Sequence, residues 1–181
     1  MLDTLPFPTR DLDELSREER SFTFAHFTCE HAWVIGNILR NALRTVEAPA
    51  LIHISLSNSM VLFHSPSLPG LMPDNEIWVA RKRETVLRWG HSSWYMHNKF
   101  GGDEGKFREK YGLGMEEGGK YAIHGGAYPI FVKGVEGVVG VIVVSGLKQE
   151  QDHQIVVKAI SEYRDLRDGV KSPQRNTTLI K

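Results

Sequence analysis

Apolar residues recur at two spacings along the chain, and the two spacings alternate. From Thr28 to about Val46 they fall three and four positions apart, which predicts a helix with one apolar stripe that Thr28 can cap. Leu51–Leu56 and Met60–His64 are short apolar runs separated by Ser57-Asn58-Ser59, a pattern typical of a β-hairpin. The chain therefore combines helices with hairpin-connected strands.

Related patterns lie on both sides of this hairpin. Asp11 can cap a helix that runs to about Glu19, and the alternation over residues 21–26 predicts a strand. After a Pro-rich loop, Asp74 is predicted to cap a helix through Trp89. A last helix is predicted over Gln149–Leu166.

Three further strands are predicted in the C-terminal half, over Tyr121–His124, Tyr128–Lys133 and Val138–Ser145. The Gly-rich segment Gly101–Gly119 is predicted to be a mobile loop with a helical turn or two. Val138–Val144 is apolar on both faces, so this strand should be central and covered on both sides, one of them by a neighbouring subunit. The fold class expected is α+β, an antiparallel five-stranded sheet flanked by helices.

Residues 1–20 are predicted to be an extension with a short helix, residues 21–168 a single domain and residues 169–181 a polar tail.

Composition narrows the class of protein. The 22 basic and 22 acidic residues balance, which argues against a nucleic-acid or anionic-membrane partner. A single cysteine, Cys29, suits a reducing compartment. No apolar run approaches the ~20 residues that span a bilayer, so the chain is predicted to be cytoplasmic, without direct membrane insertion.

A basic cluster runs through the helix predicted at 74–89. Arg81, Lys82 and Arg88 are followed by His91 and the hydroxyls of Ser92-Ser93, a set able to bind a carboxylate or phosphate. The alternative interpretation is a solvated basic face that pairs with nearby glutamates. Both interpretations stay open at this point.

Two glycine-containing stretches are further candidates. In His124-Gly125-Gly126, an imidazole that could ligate a metal or transfer a proton stands beside a glycine backbone that a bound molecule can approach closely. The glycines also suit a simple bulge. In Ser145-Gly146 a strand ends where a helix begins, so free N–H groups at the helix start could bind an anion. Capping by Ser145 and Asp152 is the structural alternative.

Four short stretches in the C-terminal half form a signature. They are His124-Gly-Gly-Ala-Tyr-Pro-Ile, Gly137-Val-Val-Gly, Val143-Val-Ser-Gly-Leu and Glu150-Gln-Asp. Together they resemble the GlcG/HbpS-like family, also called the haem-degrading domain family. Upstream, Phe27-Thr-x-x-x-Ala-Trp and His91-Ser-Ser resemble one branch of that family, found in bacteria and fungi. The resemblance covers about residues 20–166.

The resemblance implies a homo-oligomer, a dimer or a ring of dimers, that binds haem or another small anionic ligand. Arg81, Lys82 and Arg88 would pair with haem propionates, and His124 or His91 would ligate the iron, with His124 as the metal-ligand candidate. The candidate ligand-binding residues are Arg81, Lys82, Arg88, His91, Ser92, Ser93, His124, Gly125, Gly126 and Ser145.

Two other functions remain possible from the sequence. Fungal members of the branch are linked to chaperone-assisted targeting of tail-anchored membrane proteins, which implies an oligomeric adaptor without catalytic activity and a chaperone-pathway partner. The last alternative is a small enzyme in which His124 acts as general base beside Ser92 or Ser93. No carboxylate that would orient His124 is evident from the sequence.

Overall fold

The computed structural model describes residues 6–45 and 49–170. Its helices are α1 (Leu12–Ser21), α2 (Cys29–Leu43), α3 (Asp74–Trp89), α4 (Ser93–Lys99), α5 (Glu104–Lys110), α6 (Met115–Gly118) and α7 (Gln149–Val170). Its strands are β1 (Leu51–Leu56), β2 (Val61–Pro66), β3 (Ala127–Ile130) and β4 (Gly140–Ser145). None of these helices is long and apolar enough to cross a membrane. The predicted tail lies outside the described residues, apart from its first two positions, which end α7.

The four strands form one antiparallel sheet in the order β2-β1-β4-β3. The α+β class is confirmed, but the prediction of five strands is wrong. Within the predicted strand 21–26, Phe24 makes only an isolated bridge to Val132. Within the predicted strand 121–124, the Ala122 amide instead donates to Thr85 Oγ1 of α3 (3.0 Å), and the Thr85 hydroxyl donates to Ala122 O (2.8 Å). Helix contacts thus replace the strand pairing.

Strand β4 is central, and every residue in it is buried. Ile142 and Val144 pack on the face covered by α2 and α7, and Val141 and Val143 pack on the face covered by α3. The central position is confirmed. The chain's own helices cover both faces, so the predicted cover from a neighbouring subunit is not needed.

Local capping explains where the helices begin. Asp11 caps α1 by accepting from the Glu14 amide at 2.8 Å, as predicted. Thr28 precedes α2, and its amide donates to His31 Nδ1. The predicted Asp74 cap is wrong: Asp74 lies inside the first turn of α3, where its carboxylate accepts from Trp78 Nε1 at 2.8 Å. The predicted end of α2 near Val46 lies outside the described residues.

The segment 101–119 contains α5 and α6, in agreement with the predicted helical turns. Phe107 of α5 is buried in a small cluster with Met96, Tyr121 and Ile123. The segment is therefore attached to the domain through an apolar anchor, and it was not expected to carry one.

Candidate functional site

A cleft of about 450 Å³ opens where α3 passes the end of β4 and the start of α7. Its walls are formed by Asn75, Trp78 and Lys82 of α3, by His124 and by the turn from Ser145 to Glu150. Of the predicted site residues, Lys82, His124 and Ser145 line it. The volume is in the range of small-molecule sites, which is about 300–1,000 Å³.

A buried ion pair forms one wall of this cleft. Lys82 Nζ lies 3.0 Å from Asp152 Oδ2 and 3.2 Å from Val144 O, and both side chains are almost fully buried. Burial raises the pKa of the Asp152 carboxyl, and the neighbouring Lys82 opposes that rise. Lys82 was predicted to meet an anionic ligand, but its charge is already matched by Asp152. The pair joins α3 to α7 beside the end of β4.

The turn before α7 is tied by the same carboxylate. Asp152 accepts from the amides of Gly146 (3.3 Å) and Leu147 (3.1 Å), and the Gln151 side chain accepts from the Lys148 amide (3.4 Å). The N–H groups of the turn are therefore engaged by side chains and do not support the anion-site interpretation there. The structural alternative, capping by Asp152, is the one observed.

Gly125 and Gly126 permit close packing behind the cleft. Gly126 has φ +122°, and a Cβ on it would lie 2.4 Å from Val144 O and 2.9 Å from Lys82 Nζ. A Cβ on Gly125 would lie 2.4 Å from Gln149 O. The glycines thus let the backbone that follows His124 pack against the buried ion pair and the start of α7, because no side chain fits at either position. They support the site through backbone packing and do not line it.

His124 is the only histidine in the wall of the cleft among the described residues. Its ring meets Trp78 edge-on at 4.9 Å between centroids. Its Nδ1 is buried and lies 3.5 Å from Glu104 Oε1 without regular hydrogen-bond geometry. Burial lowers the pKa of His124, and Arg81 and Lys82 lower it further against the opposing effect of Glu104. Burial and the neighbouring positive charges therefore favour the neutral imidazole.

Arg81 lies near the cleft but is engaged by the protein. Its guanidinium donates to Tyr121 O at 3.0 and 3.2 Å, lies 3.7 Å from Glu104 Oε1 and stacks over Trp78. Arg88 is further away along α3, where it pairs with Glu117 and donates to the Tyr121 hydroxyl. The three basic residues predicted to act together are therefore all engaged by the protein itself, Arg81 and Arg88 by different atoms of Tyr121 and Lys82 by Asp152.

His91, Ser92 and Ser93 do not line the cleft. His91 Nδ1 lies 2.7 Å from Glu19 Oε2 of α1, while Ser92 Oγ caps α4 by accepting from the Tyr95 amide. Ser93 Oγ accepts from the Ala127 amide at 3.0 Å. Both serines are fully buried. The proposed enzyme with Ser92 or Ser93 beside His124 is contradicted by these positions.

Three features of the site were not predicted from the sequence. They are Glu104, Lys148, and the role of Asp152 as the ion-pair partner of Lys82. Glu104 starts α5, twenty positions before His124, and no spacing pattern connects the two. Lys148 lines the cleft and makes no ion pair within the described part of the chain. In the same part, no three histidine, cysteine or carboxylate side chains are placed to hold a metal ion together. A metal-containing ligand would thus be held here through His124 alone.

A family model described as "Haem degrading protein HbpS-like" matches residues 27–161. The chain belongs to the HbpS-like family. The resemblance seen in the sequence is thereby confirmed. Within this family, a UPF0303 protein of Streptomyces avermitilis is 43% identical over 152 residues, which cover 84% of this chain and 90% of that protein. A UPF0303 protein of Psychromonas ingrahamii is 36% identical over 165 residues, 91% of this chain and 96% of that protein.

Solved structures agree with this HbpS-like fold. The Ybr137w protein is 35% identical and superimposes with a TM-score of 0.79, covering 87% of this chain and 89% of that one. PduOC, solved as a haem complex, is 15% identical with a TM-score of 0.59, covering 75% and 93% of the two chains. At that identity the likeness to PduOC concerns the fold alone.

Proposed function

We propose that this HbpS-like protein binds a small anionic ligand in the cleft between α3 and the start of α7, and that haem is this ligand. The observation that carries the proposal is the position of His124, a partly exposed imidazole in the wall of a ligand-sized cleft. The family description and the haem complex of PduOC favour haem among anionic ligands.

His124 has the arrangement that a metal-ligating histidine needs. Glu104 lies beside Nδ1, which favours the tautomer with the proton on Nδ1 and leaves the Nε2 lone pair available. Nε2 makes no hydrogen bond within the described residues, and 42% of the side chain is exposed. Such a nitrogen could ligate a haem iron. The ring would therefore hold haem through Nε2, oriented by Glu104.

The remaining lining fits the other parts of haem. Trp78 and Leu147 offer apolar surface to a macrocycle, while Lys148 offers a cation to a propionate. Arg81 stands beside the cleft and contributes positive charge that Glu104 partly offsets. Lys82 and Arg88, which were expected to pair with propionates, are committed to Asp152 and Glu117. Lys148 therefore takes the role that they were predicted to have.

Haemin titration of the purified protein tests this proposal, with the Soret band recorded for wild type and His124→Ala. We expect a saturable shift at one haem per chain in the wild type and a loss of that shift in the variant. The matched control is His26→Ala, because His26 is exposed and lines a separate groove near the far end of α7. Its titration should equal that of the wild type.

Two results would contradict the proposal. If the wild type shows only weak, unsaturable changes, haem is not the ligand. If wild type and His124→Ala saturate equally, haem binds elsewhere and the cleft is not its site. Lys148→Gln separates the charge contribution: we expect weaker haem affinity with an unchanged Soret maximum, since iron ligation is retained.

Self-association remains a prediction and now has a different structural basis. Strand β2 is an edge strand within the described sheet, and Met60 and Val61 beside its start are exposed, as is Trp33 of α2. This edge, rather than β4, offers surface to a second copy.

The adaptor alternative also stays a prediction. Deleting Gly101–Gly119 would not test it cleanly, because Phe107 belongs to the packed cluster.

A further inference from the structure

A second group of histidines lies on the α3 side of the β1–β2 hairpin, apart from the cleft. His53 of β1 and His64 of β2 are directly opposite in the strand register. Their Nδ1 atoms are 3.0 Å apart, and the ring planes are nearly perpendicular. Opposed residues of an antiparallel pair project to the same face, so the hairpin itself holds the two nitrogens together.

Glu76 of α3 determines which nitrogen of His64 is free. Glu76 Oε1 lies 2.9 Å from His64 Nε2, so Nε2 carries the proton and donates to the carboxylate. The lone pair of His64 is then on Nδ1, the atom that faces His53. This is the carboxylate–histidine arrangement that raises ligand basicity and orients a metal-ligating ring.

His53 is kept in the form that can ligate a cation. Burial, helped by the charges of His64 and Arg83 and opposed by Glu76, lowers the pKa of His53 to about 4. The Arg83 guanidinium is itself paired with Glu84 at 2.7 Å. A cation placed between the rings would therefore face a compensated arginine and the negative charge of Glu76. His64 is partly exposed, which gives access from solvent.

We propose that His53 and His64 bind a divalent transition-metal ion through their Nδ1 atoms, with Glu76 as the positioning residue for His64. The ion takes the place of the proton between the rings, and that proton moves to Nε2 of His53. Imidazole pairs suit Zn²⁺, Cu²⁺ and Ni²⁺. No third side chain of the described residues converges with them, so water completes the coordination.

The geometry needs only a small adjustment. Two nitrogens about 2.05 Å from one ion are about 3.4 Å apart at a tetrahedral angle. The present 3.0 Å separation must therefore widen by a few tenths of an ångström, which side-chain rotation supplies. A two-nitrogen site of this kind is open, and its affinity should be moderate compared with closed structural zinc sites.

Calorimetric titration with Zn²⁺ at pH 7 in a non-chelating buffer tests the site, with Cu²⁺ electron paramagnetic resonance as a second measurement. We expect one Zn²⁺ per chain in the wild type and two nitrogen ligands on Cu²⁺. His64→Ala should abolish this binding, and the partial exposure of His64 makes the variant compatible with folding. Glu76→Gln should weaken it about tenfold or more, as losses of orienting carboxylates do.

The controls distinguish this site from the haem proposal. His124→Ala and His26→Ala should retain full Zn²⁺ binding, since neither residue belongs to the hairpin. An unchanged Zn²⁺ isotherm in His64→Ala, or a wild type without saturable binding, would overturn the metal site and leave the haem proposal standing. A Zn²⁺ loss in His124→Ala alone would assign the ion to the cleft instead.

Discussion

The two faces of the sheet are built on different physical principles. Under α2 and α7 the contacts are apolar, with Ile35 and Leu39 of α2 against Ile54 and Ile142 of the sheet. Under α3, apolar residues alternate with polar side chains that are almost fully buried and hydrogen-bonded to specific partners. These polar side chains are Lys82, Arg83 and Thr85, which bind Asp152, Ser55 and Ala122 respectively.

The difference explains why both candidate sites lie on the α3 side. Apolar contacts are non-directional, so the α2/α7 face contributes stability without defining where a polar group points. Hydrogen bonds and ion pairs are directional, so the α3 face places His124 beside the Lys82–Asp152 pair and Glu76 beside His64. Site geometry comes from the polar face, and bulk stabilisation comes from the apolar one.

The largest effect should follow when the ion pair of the α3 face is broken. Asp152→Ala leaves Lys82 buried without its carboxylate and frees the amides of Gly146 and Leu147. Removal of one partner from a buried pair costs about 3–5 kcal/mol. Urea denaturation should show a loss of this order in the free energy of unfolding.

The double variant Lys82→Met with Asp152→Leu is the matched control. It removes both charges and retains much of the volume, so it should recover most of the lost stability, because apolar replacements of buried pairs are often neutral. If Asp152→Ala costs less than about 1 kcal/mol, the pair is not the structural connection between α3 and α7 inferred here.

The second effect concerns a polar exception on the apolar face. His153 of α7 is fully buried, and neither ring nitrogen has a hydrogen-bond partner within the described residues. Burial lowers the pKa of His153 to about 3, so the ring is neutral in the folded protein. We predict that His153→Leu is at least as stable as the wild type at pH 7 and is the more stable of the two in acid.

Proton linkage gives the direction of this pH dependence of stability. The unfolded chain binds a proton on His153 near pH 6.5, whereas the folded chain resists it down to about pH 3. The wild type therefore loses stability as the pH falls through this window, by about 2 kcal/mol at pH 5 relative to the variant. Denaturation of both proteins at pH 7, 6 and 5 measures the difference. If the free energies of unfolding of the two proteins change in parallel with pH, His153 is hydrogen-bonded or solvated in the folded protein.

The smallest effect is expected at the exposed end of α3. Arg88 pairs with Glu117 at 3.2 Å, and both side chains are 42% exposed. Arg88→Ala should change the free energy of unfolding by no more than about 1 kcal/mol, because exposed pairs contribute little. Haem affinity should be unchanged, since Arg88 does not line the cleft. A marked loss of haem affinity would return Arg88 to the ligand site.

Much of the fold could be predicted from periodicity. The spacing of apolar residues located α2, and the apolar run 138–144 identified the central strand. The errors fall where tertiary contacts compete with a local pattern. Residues 121–124 look like a strand, but their backbone groups bind Thr85 of α3. Asp74 resembles a cap, but its carboxylate binds Trp78.

The candidate site was predicted only in part. Three of the predicted residues line the cleft. They are Lys82 in a predicted helix, His124 beside the Gly-Gly stretch and Ser145 at a predicted strand end. Glu104 and Asp152 could not be found in the same way, because their partners lie 20 and 70 positions away in the chain. Arg88, His91 and the two serines were grouped by proximity in sequence, yet none of them lines the cleft and all are bound to groups elsewhere in the fold.

The sequence alone determined the α+β class, the family and the existence of a histidine followed by two glycines. These properties depend on local spacing and on short motifs, which survive without knowledge of long-range contacts. Only the tertiary structure decided which charges are free. The charge of Lys82 is matched by Asp152, His124 lies beside Glu104, and His64 contacts both His53 and Glu76. Electrostatic pairing depends on distance in space, and spacing along the chain does not encode it.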